Sequence, residues 1–121
     1  MTIQHNGTLM RIYVAESRRY KHQDAYRAVV EALAAAGLAG ATVFKGIEGF
    51  GSHRVVSSDR AVDAWTDLPI LIEVVDTDEK IRAFLPTLET IVDDGLVTLE
   101  RVQTIMYRTA GDALDSSAES G

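Results

Sequence analysis

Residues 69–76 read PILIEVVD and run directly into TDEKIRAFLPTLETIVDDG (77–95) and LVTLERVQTIMY (96–107). The first stretch is an almost unbroken run of β-branched and aliphatic residues, the pattern of a strand. Pro69 stands at its first position, where the missing N–H removes no internal ladder bond. Asp76 or Thr77 can cap the helix that follows, with Glu79 in a first turn where the helix dipole favours acid. Ile81, Phe84, Leu85, Leu88, Ile91 and Val92 recur at helical spacing. Pro86 falls inside that stripe and is expected to kink or split the helix, at about 3 kcal/mol for an interior proline. The alternation of 96–107 loses phase between Leu99 and Val102, which predicts a bulge or two short strands.

The first half follows the same plan. TLMRIYVA (8–15) alternates Leu9, Arg11 and Tyr13 against Met10, Ile12 and Val14, as expected of a central strand. ESRRYKHQ (16–23) leads to a helix over about 24–36, with Tyr26, Val29, Val30 and Leu33 on one face and Gly37 as its stop. ATVFKGIEGF (41–50) is the next strand. The order is β-α-β twice, each helix being followed by a Gly-Leu pair (Gly37-Leu38 and Gly95-Leu96). That order predicts an α+β, ferredoxin-like βαββαβ sandwich: a four-stranded antiparallel sheet with both helices on one face. The other face stays bare although both sets of alternating residues are apolar, so oligomerisation through that face and the sheet edges is expected. The domain is read as residues 8–108, between a frayed 1–7 and a disordered acidic tail at 109–121.

Composition narrows the function classes. An apolar content of 46% with 25% charged residues belongs to an ordinary globular domain. No window approaches the 18 or so apolar residues of a membrane span. The net charge of −6 and scattered basic residues speak against a nucleic-acid partner, because such proteins cluster Lys and Arg to neutralise phosphates. The chain has no cysteine, hence neither a disulfide framework nor a thiolate zinc site. MTIQHNGT lacks the basic and apolar regions of a signal peptide, so a cytoplasmic location is expected.

No catalytic constellation is visible: there is no G-x-S-x-G, no P-loop and no nucleophile paired with a base. The protein is therefore read as a binding protein rather than an enzyme. His5, His22 and His53 show no metal-ligand spacing, although His22 and His53 flank the same end of the predicted sheet. Asp93-Asp94-Gly95 is most simply a helix-to-strand turn, and Glu16 and Ser17 follow the first strand. FKGIEGFGS (44–52) places Gly46, Gly49 and Gly51 where a strand ends. Gly46 is read as easing a bulge or a close inter-chain contact. Gly49 and Gly51 can let backbone N–H groups curl into an anion-binding nest. SHRVVSSDRAVDAWTDL (52–68) then takes the place of a hairpin turn. It is too long for one, and is read as a partner-binding loop presenting His53, Arg54, Arg60 and Trp65.

These motifs resemble known proteins. GFG (49–51) before a long loop, the DDG turn (93–95) opening the last strand, and YRTAGD (107–112) resemble the PII signalling proteins. RIYVAESRRY, GLAGATVFKGIEGFG, DLPILIEVVD, EKIRAFLPTLE and GLVTLERV resemble, more closely, a bacterial PII-like family of unknown function. The resemblance implies a homotrimer with a small anionic effector, an adenine nucleotide, in each inter-subunit cleft. It also implies action on a membrane transporter or channel, or a metabolic enzyme, through a T-loop at 52–68. Gly49, Phe50 and Gly51 then match the ligand loop, Asp94 and Gly95 the phosphate-facing turn, and Arg108 a C-terminal arginine. Glu48, Leu96 and Met106 stand where PII proteins carry basic residues. Each lost charge-assisted bond weakens binding by roughly 1.5–3 kcal/mol, so AMP, ADP or a cyclic nucleotide is expected rather than Mg-ATP, unless Lys45 or Arg54 substitutes. Two other readings are a CutA-like trimer binding a divalent metal through His22 or His53, and a small ferredoxin-like enzyme of the acylphosphatase kind.

Overall fold

A computed structural model describes residues 2–48 and 67–109. Among these residues six strands and two helices follow in chain order: β1 (Thr2–Ala15), β2 (Arg19–Tyr20), β3 (Gln23–Asp24), α1 (Ala25–Ala35), β4 (Thr42–Lys45), β5 (Pro69–Asp76), α2 (Asp78–Ile91) and β6 (Leu96–Tyr107). The main sheet has the order β4-β5-β1-β6, antiparallel at every junction, and β2 and β3 form a small separate hairpin. This is the expected α+β ferredoxin-like arrangement.

The alternation in β1 and β5 divides the two faces. Met10, Ile12 and Val14 on β1 and Ile70, Ile72 and Val74 on β5 are buried against the helices. Their partners are Ala28, Val29 and Leu33 of α1 and Ile81, Phe84, Leu88 and Ile91 of α2. At roughly 1.5–3 kcal/mol per fully buried large aliphatic, this layer is the dominant favourable term of the fold. Thr77 caps α2 by accepting from the Lys80 N–H at 3.2 Å, with Asp78 and Glu79 in the first turn. Gly37, at φ +81°, ends α1: its N–H bonds Ala34 and that of Leu38 bonds Leu33, a paired closure that favours glycine.

Two expectations are corrected and the split alternative of a third is ruled out. Pro86 does not split α2, which runs unbroken from Asp78 to Ile91. Pro86 and Arg82 one turn earlier are both exposed, so the carbonyl deprived of its partner faces water rather than the core. Residues 2–7 do not fray: β1 begins at Thr2 and pairs with the last part of β6. Nor does β6 contain a bulge, because its register with β1 is unbroken from Tyr13↔Leu96 to Thr2↔Tyr107. The slipped alternation has another cause. Leu99 faces the helices opposite Met10, whereas Val102, Thr104 and Met106 are half-buried on the opposite face, where β1 and β6 run on beyond the end of β5. Burial changes sides; the backbone stays regular.

The face away from the helices carries Leu9, Tyr13, Leu71, Phe44, Val75 and Leu96. Phe44 is 47% and Leu96 58% exposed. At its centre Arg11 bridges Glu73 at 3.0 Å and Glu100 at 3.4 Å, and these carboxylates hold the guanidinium pKa above its ordinary value.

Candidate functional site

The strand directions bring several predicted residues to one end of the sheet. β1 ends at Ala15 opposite Pro69, β4 ends at Lys45 opposite Ile70, and β6 starts at Leu96 opposite Tyr13. Glu16, Ser17, Lys45, Glu48, Asp94 and Gly95 therefore gather at the ends of four strands. Arg108 does not join them. It follows the 12-residue β6 at its far end, 13 residues from Gly95 and so about 42–44 Å away at the usual rise per residue. There its Nε donates to the Met106 sulfur at 2.8 Å. Gly49, Phe50, Gly51, His53, Arg54, Arg60 and Trp65 lie outside the described residues.

The gathered side chains are tied by ions. Lys45 Nζ lies 2.7 Å from Glu16 Oε2, and that hydrogen-bonded carboxylate holds the Lys45 pKa above its ordinary value. Asp67, just before β5, accepts from the Ser17 N–H at 3.0 Å and the Ser17 hydroxyl at 2.7 Å. The Glu16 N–H donates to the Leu68 carbonyl at 3.0 Å. Arg18 donates to Asp94. Arg18 and Asp67 are the members of this cluster that the sequence does not single out. The density of RRYKH was the available signal for Arg18, but nothing local pointed to a partner 76 residues away.

The glycines of this end are required by packing. A methyl group at Gly95 would lie 2.7 Å from the Tyr13 carbonyl oxygen and 2.9 Å from Val92 Cγ1. One at Gly46 would lie 2.7 Å from Pro69 Cγ, and the Gly46 N–H donates to the Pro69 carbonyl at 2.8 Å. Gly46 thus serves a close contact within the chain, not the inter-chain contact expected.

A groove of about 340 Å³ lies between the C-terminal half of α2 and the edge strand β6. Among the described residues its lining is aliphatic apart from Gly95, Glu89 and Asp93, with no cation to attract an anion. Among the described residues no three His, Cys, Asp or Glu side chains converge to hold a metal ion. His5 is in the paired outer part of β1, and His22 in the exposed β2–β3 turn.

Residues 7–104 match the DUF190 family, described only as an uncharacterized ACR. The chain belongs to this family. Among its relatives, a UPF0166 protein of Aquifex aeolicus is 33% identical over 97 residues, covering 80% of this chain and 91% of that one. The UPF0166 protein MJ1524 of Methanocaldococcus jannaschii is 35% identical over 92 residues, covering 75% and 84%. Solved structures place the DUF190 chain beside PII-like proteins. CPII of Thiomonas intermedia, bound to ADP, AMP and acetate, aligns with TM-score 0.53 and 19% identity, covering 84% of this chain and 91% of that one. A PII-like signaling protein of Thermus thermophilus aligns with TM-score 0.57 and 19% identity, covering 84% and 90%. At such identities the likeness is one of fold. Among the described residues no helix of this DUF190 protein is long and apolar enough to cross a membrane.

Proposed function

We propose that the protein is a trimeric PII-like sensor, not an enzyme. In this reading it binds a small anionic effector, an adenine nucleotide of low charge (AMP, ADP or a cyclic nucleotide), in clefts between subunits. The site is formed by Glu16, Ser17, Lys45, Glu48, Asp94 and Gly95 with Gly49, Phe50 and Gly51 of one chain. Arg108 comes from a neighbouring copy. Residues 52–68, with His53, Arg54, Arg60 and Trp65, carry the signal to a transporter, channel or metabolic enzyme.

One observation carries this reading. Arg108 stands at the opposite end of β6 from Gly95, so a cleft that uses both must join two chains. The exposed apolar sheet face supplies an interface for such copies. The ADP and AMP bound by CPII, a fold neighbour, support the choice of ligand. The metal-binding alternative finds no comparable support among the described residues.

The test uses Lys45→Ala and Arg108→Ala chains. Each alone is expected to lose ADP binding. Co-expressed as mixed trimers, they should recover about a quarter of the sites, those pairing an intact Lys45 with an intact Arg108 across an interface. Full binding by Arg108→Ala, or no recovery on mixing, contradicts the inter-subunit site.

A further inference from the structure

Binding an anion at Lys45 or Arg18 cannot be simple capture by a free cation. Lys45 is held by Glu16 at 2.7 Å and Arg18 by Asp94. Lys45 is the more accessible of the two, its side chain 56% exposed against 35% for Arg18. The turn beneath is firmly built. The Glu16 N–H bonds Leu68, both the N–H and the hydroxyl of Ser17 bond Asp67, and the Arg18 N–H bonds Ala15. The backbone of Glu16 is thus fixed from both sides, while its carboxylate, 34% exposed, is held by a flexible lysine alone among the described partners.

We propose that Glu16 is the charge-selecting residue of the site: its carboxylate occupies the position on Lys45 that a phosphate would take, so binding exchanges one anion for another. This rests on the anion-binding reading of the same strand ends. Two consequences follow from Coulomb's law alone. A weak anion does not displace the carboxylate, which rejects abundant singly charged competitors. A displaced carboxylate stays beside the ligand on its fixed backbone and repels further phosphates, which disfavours the most highly charged nucleotides. Glu16 sets a window of ligand charge, where a bare lysine would reward every added phosphate.

The experiment titrates the full chain and its Glu16→Gln variant with inorganic phosphate, AMP and ADP. Glutamine keeps the shape and a hydrogen bond to Lys45 but removes the competing charge. The variant is expected to bind all three probes more tightly, by about 2- to 5-fold for phosphate and AMP and by more for ADP. The gain should vanish in a Glu16→Gln, Lys45→Met double variant. Melting curves establish that both variants are folded. If the wild type binds nucleotides and Glu16→Gln leaves every affinity unchanged or weaker, the proposal is overturned and the nucleotide reading survives. If phosphate binding rises while adenine nucleotides bind neither protein better than phosphate does, the proposal stands and the nucleotide reading falls. A gain that persists without Lys45, or no binding of any probe to either protein, overturns the proposal.

Discussion

The α-carbon of Gly95 packs against the carbonyl oxygen of Tyr13 so closely that a methyl group there would stand 2.7 Å from it, with Val92 Cγ1 at 2.9 Å on another side. One obstacle is backbone of the interior strand β1 and cannot yield. Gly95→Ala is therefore expected to destabilise the fold by about 1–3 kcal/mol, as overpacking does. Gly46→Ala, which meets the Pro69 ring, should cost less. Denaturant melts of the two variants check the order. Equal stability would mean that β6 does not start where we place it.

Stability should fall with acid through Asp78. Its carboxylate accepts from the Thr8 hydroxyl at 2.8 Å and from Arg82 at 2.9 Å, and these bonds, Thr8 first, hold its pKa below the ordinary 3.8. A depressed carboxylate pKa adds stability above the unfolded value and loses it as pH falls through the folded one. The loss should begin near about pH 5 and continue below 3.8. Asp78→Asn and Thr8→Val should each flatten this part of the profile. Melting temperatures across the acid range that are identical in wild type and Asp78→Asn would contradict it.

Ser17 and Asp67 link the β1–α1 turn to the start of β5. Ser17→Ala removes one of the two bonds and should cost about 0.5–1.5 kcal/mol, near the lower figure because the pair is exposed. The sharper readout is amide exchange: the Glu16 N–H, bonded to Leu68, should exchange faster in the variant. Unchanged protection would show that the Ser17 hydroxyl does not hold this junction.

Phe44→Glu places a charge on the bare sheet face at a residue already 47% exposed, so the folded chain should tolerate it while assembly should not. If the proposed trimer assembles through this face, light scattering should show the variant as single chains with an unchanged far-ultraviolet spectrum. A trimer that survives would place the interface elsewhere. The outer ribbon of β1 and β6 also leaves apolar side chains exposed. Tyr107 is 76% and Ile105 47% exposed, and a two-stranded ribbon is only marginally stable without packing.

The layered sandwich was legible because Met10, Ile12 and Val14 alternate cleanly and α2 carries its stripe at helical spacing. The ribbon was not, because TIQHNG is polar and its strand character is set by β6, a hundred residues away in sequence. The slip between Leu99 and Val102 was visible, but its cause, a change in which face is buried, needs the third dimension. The site was half legible. Glycines and acids at strand ends mark a place, while the pairing of Glu16 with Lys45 and of Arg18 with Asp94 depends on which strands lie side by side. That pairing changes the meaning of the residues, from free cations awaiting a ligand to cations already holding an anion.

The central claim is that the strand ends bind an adenine nucleotide of low charge. Calorimetric titration of the full chain with AMP, ADP and Mg-ATP tests it most directly. The account predicts saturable binding of AMP or ADP, one ligand per chain, with Mg-ATP the weaker ligand. No saturable binding of either, or a clear preference for Mg-ATP, would contradict it.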